Sequence, residues 1–369
     1  MILGILPPRG RRIVSAFRQR GEKPREAGKC WGIPDTDENE RSRRATKATG
    51  ASWGIMGFVR QRTLRNTTSC SGVGLHSGSD VVMVLHPAQP GTGVRFLRTD
   101  VADRPVEVQA TWQNAIERPL CTTLANREGV TIATVEHLMS AFLGCGIDNV
   151  VVELHGSEVP AMDGSAVPFV AMIEHAGIEE QMAPRRVLEI LKPVSVCEPH
   201  RRAALMPAEG FSLDFEIEFD NPVVGRQHWS LSIDNGTYKH EVARARTFGF
   251  LHEVDTLRAM GLALGGSLDN AVVIDGDRIL NEGGLHFENE FVRHKVLDAI
   301  GDLYLLGGPL LGHFRGVRAG HTLTLRLLRA LFSDDSAWRW RELRSEELYA
   351  DMTRPGAPIQ PDRAVAAPT

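Results

Sequence analysis

The ten residues from Phe211 to Asp220 alternate apolar and polar without a break. Phe211, Leu213, Phe215, Ile217 and Phe219 fall on one side, and Ser212, Asp214, Glu216, Glu218 and Asp220 on the other. Only an extended chain with a two-residue repeat gathers all five apolar side chains on one face. The segment is therefore a half-buried strand, of the kind expected in an antiparallel sheet. Further strand signals lie at Asp80–His86, Gly93–Leu97 and Asn149–Leu154. Helical periods stand among them: Thr131–Leu143, with Thr134 placed as an N-cap and Gly144 as a stop, Val167–Ala176, and a last helix from His321 to Phe332. In Glu290–Asp302, Val292, Val296, Ile300 and Leu303 recur at three- and four-residue steps. Each half is thus strands plus helices, which predicts an α+β fold with helices packed on one face of a sheet. Met182-Ala-Pro-Arg-Arg186 reads as a junction between a first domain, 56–183, and a second, 184–345.

Charge separates the N-terminal arm from the rest. Residues 1–55 hold 12 Lys and Arg against 6 Asp and Glu, a balance of +6, with no apolar period, and are expected to be disordered. The remainder holds 30 against 40, or −10, which argues against a nucleic-acid partner. No apolar run approaches a membrane span, so stable membrane insertion is not expected. The five cysteines are scattered without a Cys-x-x-Cys pair, which excludes a cysteine zinc ribbon and suggests reduced thiols. Prolines 355, 358, 361 and 368 predict a frayed tail over 346–369.

Chemistry concentrates in two of the helical segments. His294, Asp298 and Asp302 fall at i, i+4 and i+8, a second stripe beside the apolar face. An imidazole and a carboxylate one turn apart can grip one divalent cation, and they can equally be an ordinary helix-face pair. Glu136 and His137 stand side by side in the first turn of their helix. That dipeptide suits a hydrolase in which the His binds metal and the Glu acts on water, although Glu-His also occurs by chance. If His137 and His294 share a metal, the ligands come from different halves, and the site lies in the cleft between them.

With these segments together the chain resembles the zinc-dependent UDP-3-O-acyl-N-acetylglucosamine deacetylases of bacterial lipid A synthesis. Matching segments run in family order from about Gln61 to Leu331. They include Gly72-Val-Gly-Leu-His-Ser-Gly78, Thr134-Val-Glu-His-Leu138, Gly146-Ile-Asp-Asn149, Met162-Asp-Gly-Ser-Ala-Val-Pro-Phe169, Ala243-Arg-Ala-Arg-Thr-Phe-Gly-Phe250, Asn281-Glu-Gly-Gly-Leu-His-Phe287, Phe291–Asp302 and Gly320-His321. The resemblance implies two similar domains, each a layered sheet-and-helix sandwich, in a cytoplasmic monomer. The family's usual start matches the Met56 region, and the match ends too near Thr369 to expect a fused dehydratase domain.

It also implies roles. The metal ligands would be His137, His294 and Asp298, binding zinc, with ferrous iron as the other candidate, and leaving a position open to water. Glu136 would be the general base, and Thr247 a hydroxyl donor to the oxyanion formed at the 2-acetamido carbonyl. His321 would be the cationic acid. It follows Gly320 at a helix start, where the macrodipole disfavours a cation, so Asp302 is expected to pair with it and raise its pKa. Lys295 and, less closely matched, Arg318 would meet the diphosphate. Phe248 and Phe250 would flank the substrate, and the segment carrying Leu262, Ser267 and Ala271 would form a passage for the acyl chain. His76 and Cys121 match positions near the metal in relatives, and each also reads as an ordinary buried side chain. The rival reading is a nucleotide-sugar binding protein on the same scaffold that has lost catalysis; it should lack one of Glu136, His137, His294, Asp298 or His321, and all five are present. A zinc peptidase is disfavoured because no His-Glu-x-x-His occurs.

Overall fold

The computed structural model describes residues 59–233 and 237–343. The expectations for 1–55, for an ordered start at Met56 and for the tail 346–369 lie outside the described residues. The architecture is α+β. One five-stranded sheet has the spatial order Thr68–Val73, Asp80–Pro87, Val150–His155, Val94–Arg98, Glu107–Gln109. All its pairings are antiparallel except that between Val94–Arg98 and Val150–His155. A seven-stranded sheet is built from residues 186–342, centred on Leu310–Val317. Arg60–Leu64 pairs with Ile178–Pro184 in a separate ribbon, which includes part of the expected junction at 182–186.

The alternating segment is the strand Phe211–Glu218, with Phe211, Leu213, Phe215 and Ile217 buried. Its neighbours run in opposite senses. Arg226–Ser232 is antiparallel to it and Leu310–Val317 parallel, so the antiparallel expectation holds on one edge only. Alternation reports a buried face. It carries no information about the direction of a strand that arrives ninety residues later.

Beside two further three-stranded sheets, the described chain holds five α-helices: α1 (Glu136–Cys145), α2 (Val167–Ala176), α3 (Val254–Ala259), α4 (Glu290–Tyr304) and α5 (His321–Phe332). Of these, α4 is the axis of the site. Thirteen of its fifteen residues are buried, so its polar side chains must find partners inside the protein. It packs against α1, and the approach is close because position 301 is glycine. A Cβ on Gly301 would lie 1.9 Å from the carbonyl oxygen of Glu136.

The start and end of α1 differ from expectation. The residue before the helix is Val135, without a side-chain cap. Thr134 instead takes φ +58° and gives its hydroxyl to the Glu158 carboxylate at 2.8 Å. That carboxylate also accepts the His76 and Ser77 amides, so one buried acid pins two loops. Gly144 is no stop. It lies within the helix, where a Cβ would meet the Tyr238 ring at 2.0 Å, and the left-handed cap is Gly146 at φ +71°. Among the described residues, Cys70, Cys121 and Cys145 are free thiols, as expected.

Candidate metal centre

α1 and α4 bring His137, His294 and Asp298 together, with one donor atom of each lying within 4.8 Å of the others. Asp298 Oδ1 is 3.4 Å from His137 Nε2 and 3.3 Å from His294 Nε2. The two imidazoles meet edge to face, with centroids 5.0 Å apart, and all three residues are buried. His294 Nδ1–H donates to the Ala245 carbonyl at 3.1 Å, which turns the Nε2 lone pair toward the cluster. Burial pushes the His294 imidazole down to about 3, so it stays neutral. Burial alone would raise the Asp298 carboxyl, but His294, Lys295 and His137 outweigh it and hold the group well below its usual range. Two imidazoles and one carboxylate, all buried, are a donor set that suits zinc and leaves a coordination position open.

The acid–base groups flank this cluster. Glu136 is 3 % exposed, and Thr122 N–H donates to its Oε2 at 3.0 Å. Burial raises the Glu136 pKa, against the pull of His321 and His137, which is the direction a base working near neutrality needs. His321 opens α5 and points Nε2 at Glu136 Oε1, 3.8 Å away, and Asp298 Oδ2, 3.9 Å away. Its Nδ1 lies 2.8 Å from Asp302 Oδ2. Burial depresses the imidazole, yet the charges of Asp302 and Glu136 and the hydrogen bond His321 gives to Asp302 lift it to about 10. His321 is therefore an imidazolium at neutral pH despite its place at a helix N-terminus.

A cavity of about 740 Å³ is bounded in part by Lys295 and His321, which border this cluster. Thr247, Phe248, Phe250, Lys295, His321, Ser267 and Ala271 line it, as does His76. Leu262 and Arg318 do not. Arg318 pairs with Glu218 instead. Lys295 Nζ sits 2.7 Å from Asp298 Oδ2 and 5.8 Å from the Phe248 ring centre, so the ammonium is committed to the metal ligand as well as facing the cavity. Cys121 is buried beside Thr123, and burial raises its thiol to about 11, which makes it inert at neutral pH. Sequence reasoning missed Thr122, Glu158 and much of the apolar wall, including Leu75, Leu120, Leu257 and Leu280. The wall had a faint signal in the run of small and apolar residues after Leu257. Thr122, one of two adjacent threonines, had none.

The family model for UDP-3-O-acyl N-acetylglycosamine deacetylase matches residues 61–333. The chain belongs to this family. It is 54% identical over 283 residues to the UDP-3-O-acyl-N-acetylglucosamine deacetylase of Chromohalobacter salexigens, an alignment covering 76% of this chain and 93% of the relative. The deacetylases of the same name from Marinobacter nauticus and Hahella chejuensis are 52% and 53% identical over the same length, covering 92% and 93% of those chains. The matched span of this family member contains every residue of the metal cluster and both flanking acid–base groups.

Proposed function

We propose that the protein hydrolyses the 2-acetamido group of UDP-3-O-(3-hydroxyacyl)-N-acetylglucosamine to give acetate and the free amine, the committed step of lipid A biosynthesis. The observation that carries this reading is the pairing of a buried carboxylate, Glu136, with a cationic imidazole, His321, 3.8 Å apart beside three converging metal donors. His137, His294 and Asp298 would hold a zinc ion, or ferrous iron in its place, which would supply Lewis acidity toward the amide carbonyl and lower the pKa of water toward about 7.

The chain's own groups do the rest. Glu136 takes a proton from the attacking water, its affinity for that proton increased by burial. The carbonyl oxygen gathers negative charge as the water oxygen bonds to carbon, and the Thr247 hydroxyl and the His321 imidazolium face that charge. The C–N bond then breaks with its electron pair on nitrogen, and His321 supplies the proton that the leaving amine needs. Asp302 holds His321 charged until that transfer. Phe248, Phe250, Ser267 and Ala271 belong to a cavity wall suited to an acyl chain, while Lys295 meets the polar end of the substrate. Arg318 and Leu262 stand outside that lining, and their roles toward the diphosphate and the acyl passage rest on the family resemblance alone.

We read the five- and seven-stranded sheets as the cores of two similar layered domains, 56–183 and 184–345, with the site in the cleft. This reading is supported by the origin of the groups: α1 follows the first set of strands, and α4 and α5 belong with the second. No helix among the described residues is long and apolar enough to cross a membrane. We place the protein in the cytoplasm as a monomer. The test is release of free amine from UDP-3-O-acyl-N-acetylglucosamine by the zinc-loaded protein. Activity that chelation removes and zinc restores supports the reading. A protein that binds zinc and the nucleotide sugar without releasing amine would be the inactive binding protein.

A further inference from the structure

We propose that Thr122 is a positioning residue that sets the catalytic base and acid relative to each other. The inference rests on the deacetylase reading of the same site. Thr122 is 7 % exposed, and its polar atoms reach both groups. Its amide holds Glu136 Oε2 at 3.0 Å, which leaves Oε1 as the oxygen facing His321. Its hydroxyl donates to Asp302 Oδ1 at 2.5 Å. A threonine hydroxyl has one proton. With that proton given to Asp302, Oγ1 can only accept from His321 Nδ1, which stands 3.1 Å away.

The geometry follows from that count. The Nδ1–H of His321 is shared between Asp302 Oδ2 at 2.8 Å and Thr122 Oγ1, which fixes the rotation of the ring. Nε2 is then the nitrogen that faces Glu136 and the metal cluster. Glu136 comes from α1 and His321 from α5, on opposite sides of α4 in sequence, and Thr122 belongs to neither helix. One residue thus references both groups, through its backbone to the base and through its side chain to the Asp302–His321 pair. The side-chain half can be removed alone, because valine keeps the shape and the amide.

The test compares the zinc-loaded wild type with Thr122→Val and Thr122→Ser. Thr122→Val should lower kcat by about ten- to a hundredfold, less than the loss of an acid–base group itself, which is typically about a hundredfold or more. KM should move by less than about threefold and zinc content not at all, while Thr122→Ser should keep kcat within about threefold, because a positioning role acts on the chemical step rather than on binding. In an Asp302→Asn background, Thr122→Val should add little further loss, since the hydroxyl acts through Asp302. Full activity in Thr122→Val, an equal loss in both variants, or multiplicative losses with Asp302→Asn would overturn the proposal. A second readout does not depend on turnover: the nitrogen-15 resonance of His321 Nδ1–H should be sharp in the wild type and Thr122→Ser and broadened by exchange in Thr122→Val. An unchanged signal in Thr122→Val would overturn the proposal. An inactive wild type would refute the deacetylase reading, and this signal would still decide whether Thr122 places His321.

Discussion

Gly301→Ala adds one methyl group at the contact between α1 and α4, and the structure says what that methyl meets. Its Cβ would lie 1.9 Å from the Glu136 carbonyl oxygen and 2.8 Å from the carbonyl carbon, whereas real Cβ contacts essentially never fall below 3.0 Å. The obstacle is backbone, which cannot swing aside, so the two helices must part by about 1 Å at this point. Overpacking of this kind typically costs about 1–3 kcal/mol, and the helix preference of alanine over glycine returns up to about 1. The net loss, between about 0 and 3 kcal/mol, corresponds to a melting temperature lower by up to roughly 6 °C, at about 2 °C per kcal/mol for a chain this long. The effect on the site should be larger than the effect on stability. Glu136 and His137 move with α1, while His294 and Asp298 stay on α4. A metal site tolerates about 0.2 Å, and a 1 Å misplacement of reacting groups can cost about a hundredfold in rate. Zinc stoichiometry after dialysis, kcat/KM and the melting temperature are the three measurements. The control is Gly283→Ala, where the added carbon meets nothing. A Gly301→Ala protein with full zinc and wild-type kcat/KM would refute the argument that this contact sets the cluster.

Other expectations follow from the same geometry. Asp302→Asn removes the charge that does most to keep His321 protonated, so the basic limb of the pH–rate profile should move to lower pH. In the metal-free protein, His321 has a folded pKa near 10 against an ordinary 6.5. Its stabilising contribution is thus complete below 6.5 and lost as pH rises through about 10, so the stability difference between wild type and His321→Gln, followed by denaturant titration, should shrink across that window. Ala271→Leu narrows the cavity wall and should lower kcat/KM about tenfold for long-acyl substrates and less for short ones, with zinc content unchanged. Chelation should lower the melting temperature as well as abolish activity, because a ligand that binds only the folded state stabilises it; an unchanged melting curve would count against a buried site.

The parts of the fold readable from sequence were those governed by local period. The bounds of α2 and α5 are Val167–Ala176 and His321–Phe332 in both readings, since apolar spacing and nearby Gly and Pro decide them. The one-face burial of Phe211–Glu218 is another case. Long-range partners account for the rest. Thr134 looked like a cap because threonine before an apolar period usually is one, yet Glu158, 24 residues away, takes its hydroxyl. Gly144 looked like a stop because nothing local reveals that Tyr238 will press on it. In the site, the i, i+4 spacing of His294 and Asp298 was legible as a candidate ligand pair, whereas bringing His137 to it required the family resemblance. Thr122 was invisible: it lies outside any periodic segment, and its three partners, Glu136, Asp302 and His321, come from elements formed elsewhere in the chain.

We propose that His294 holds the metal while Glu136 handles the proton. Bound zinc should therefore be measured beside amine release in the intact protein, His294→Ala and Glu136→Ala. The account predicts that both variants lose activity, by at least about a hundredfold for the base, and that only His294→Ala loses its zinc. A Glu136→Ala protein that still turns over, or one whose activity falls only because its zinc is gone, would contradict it.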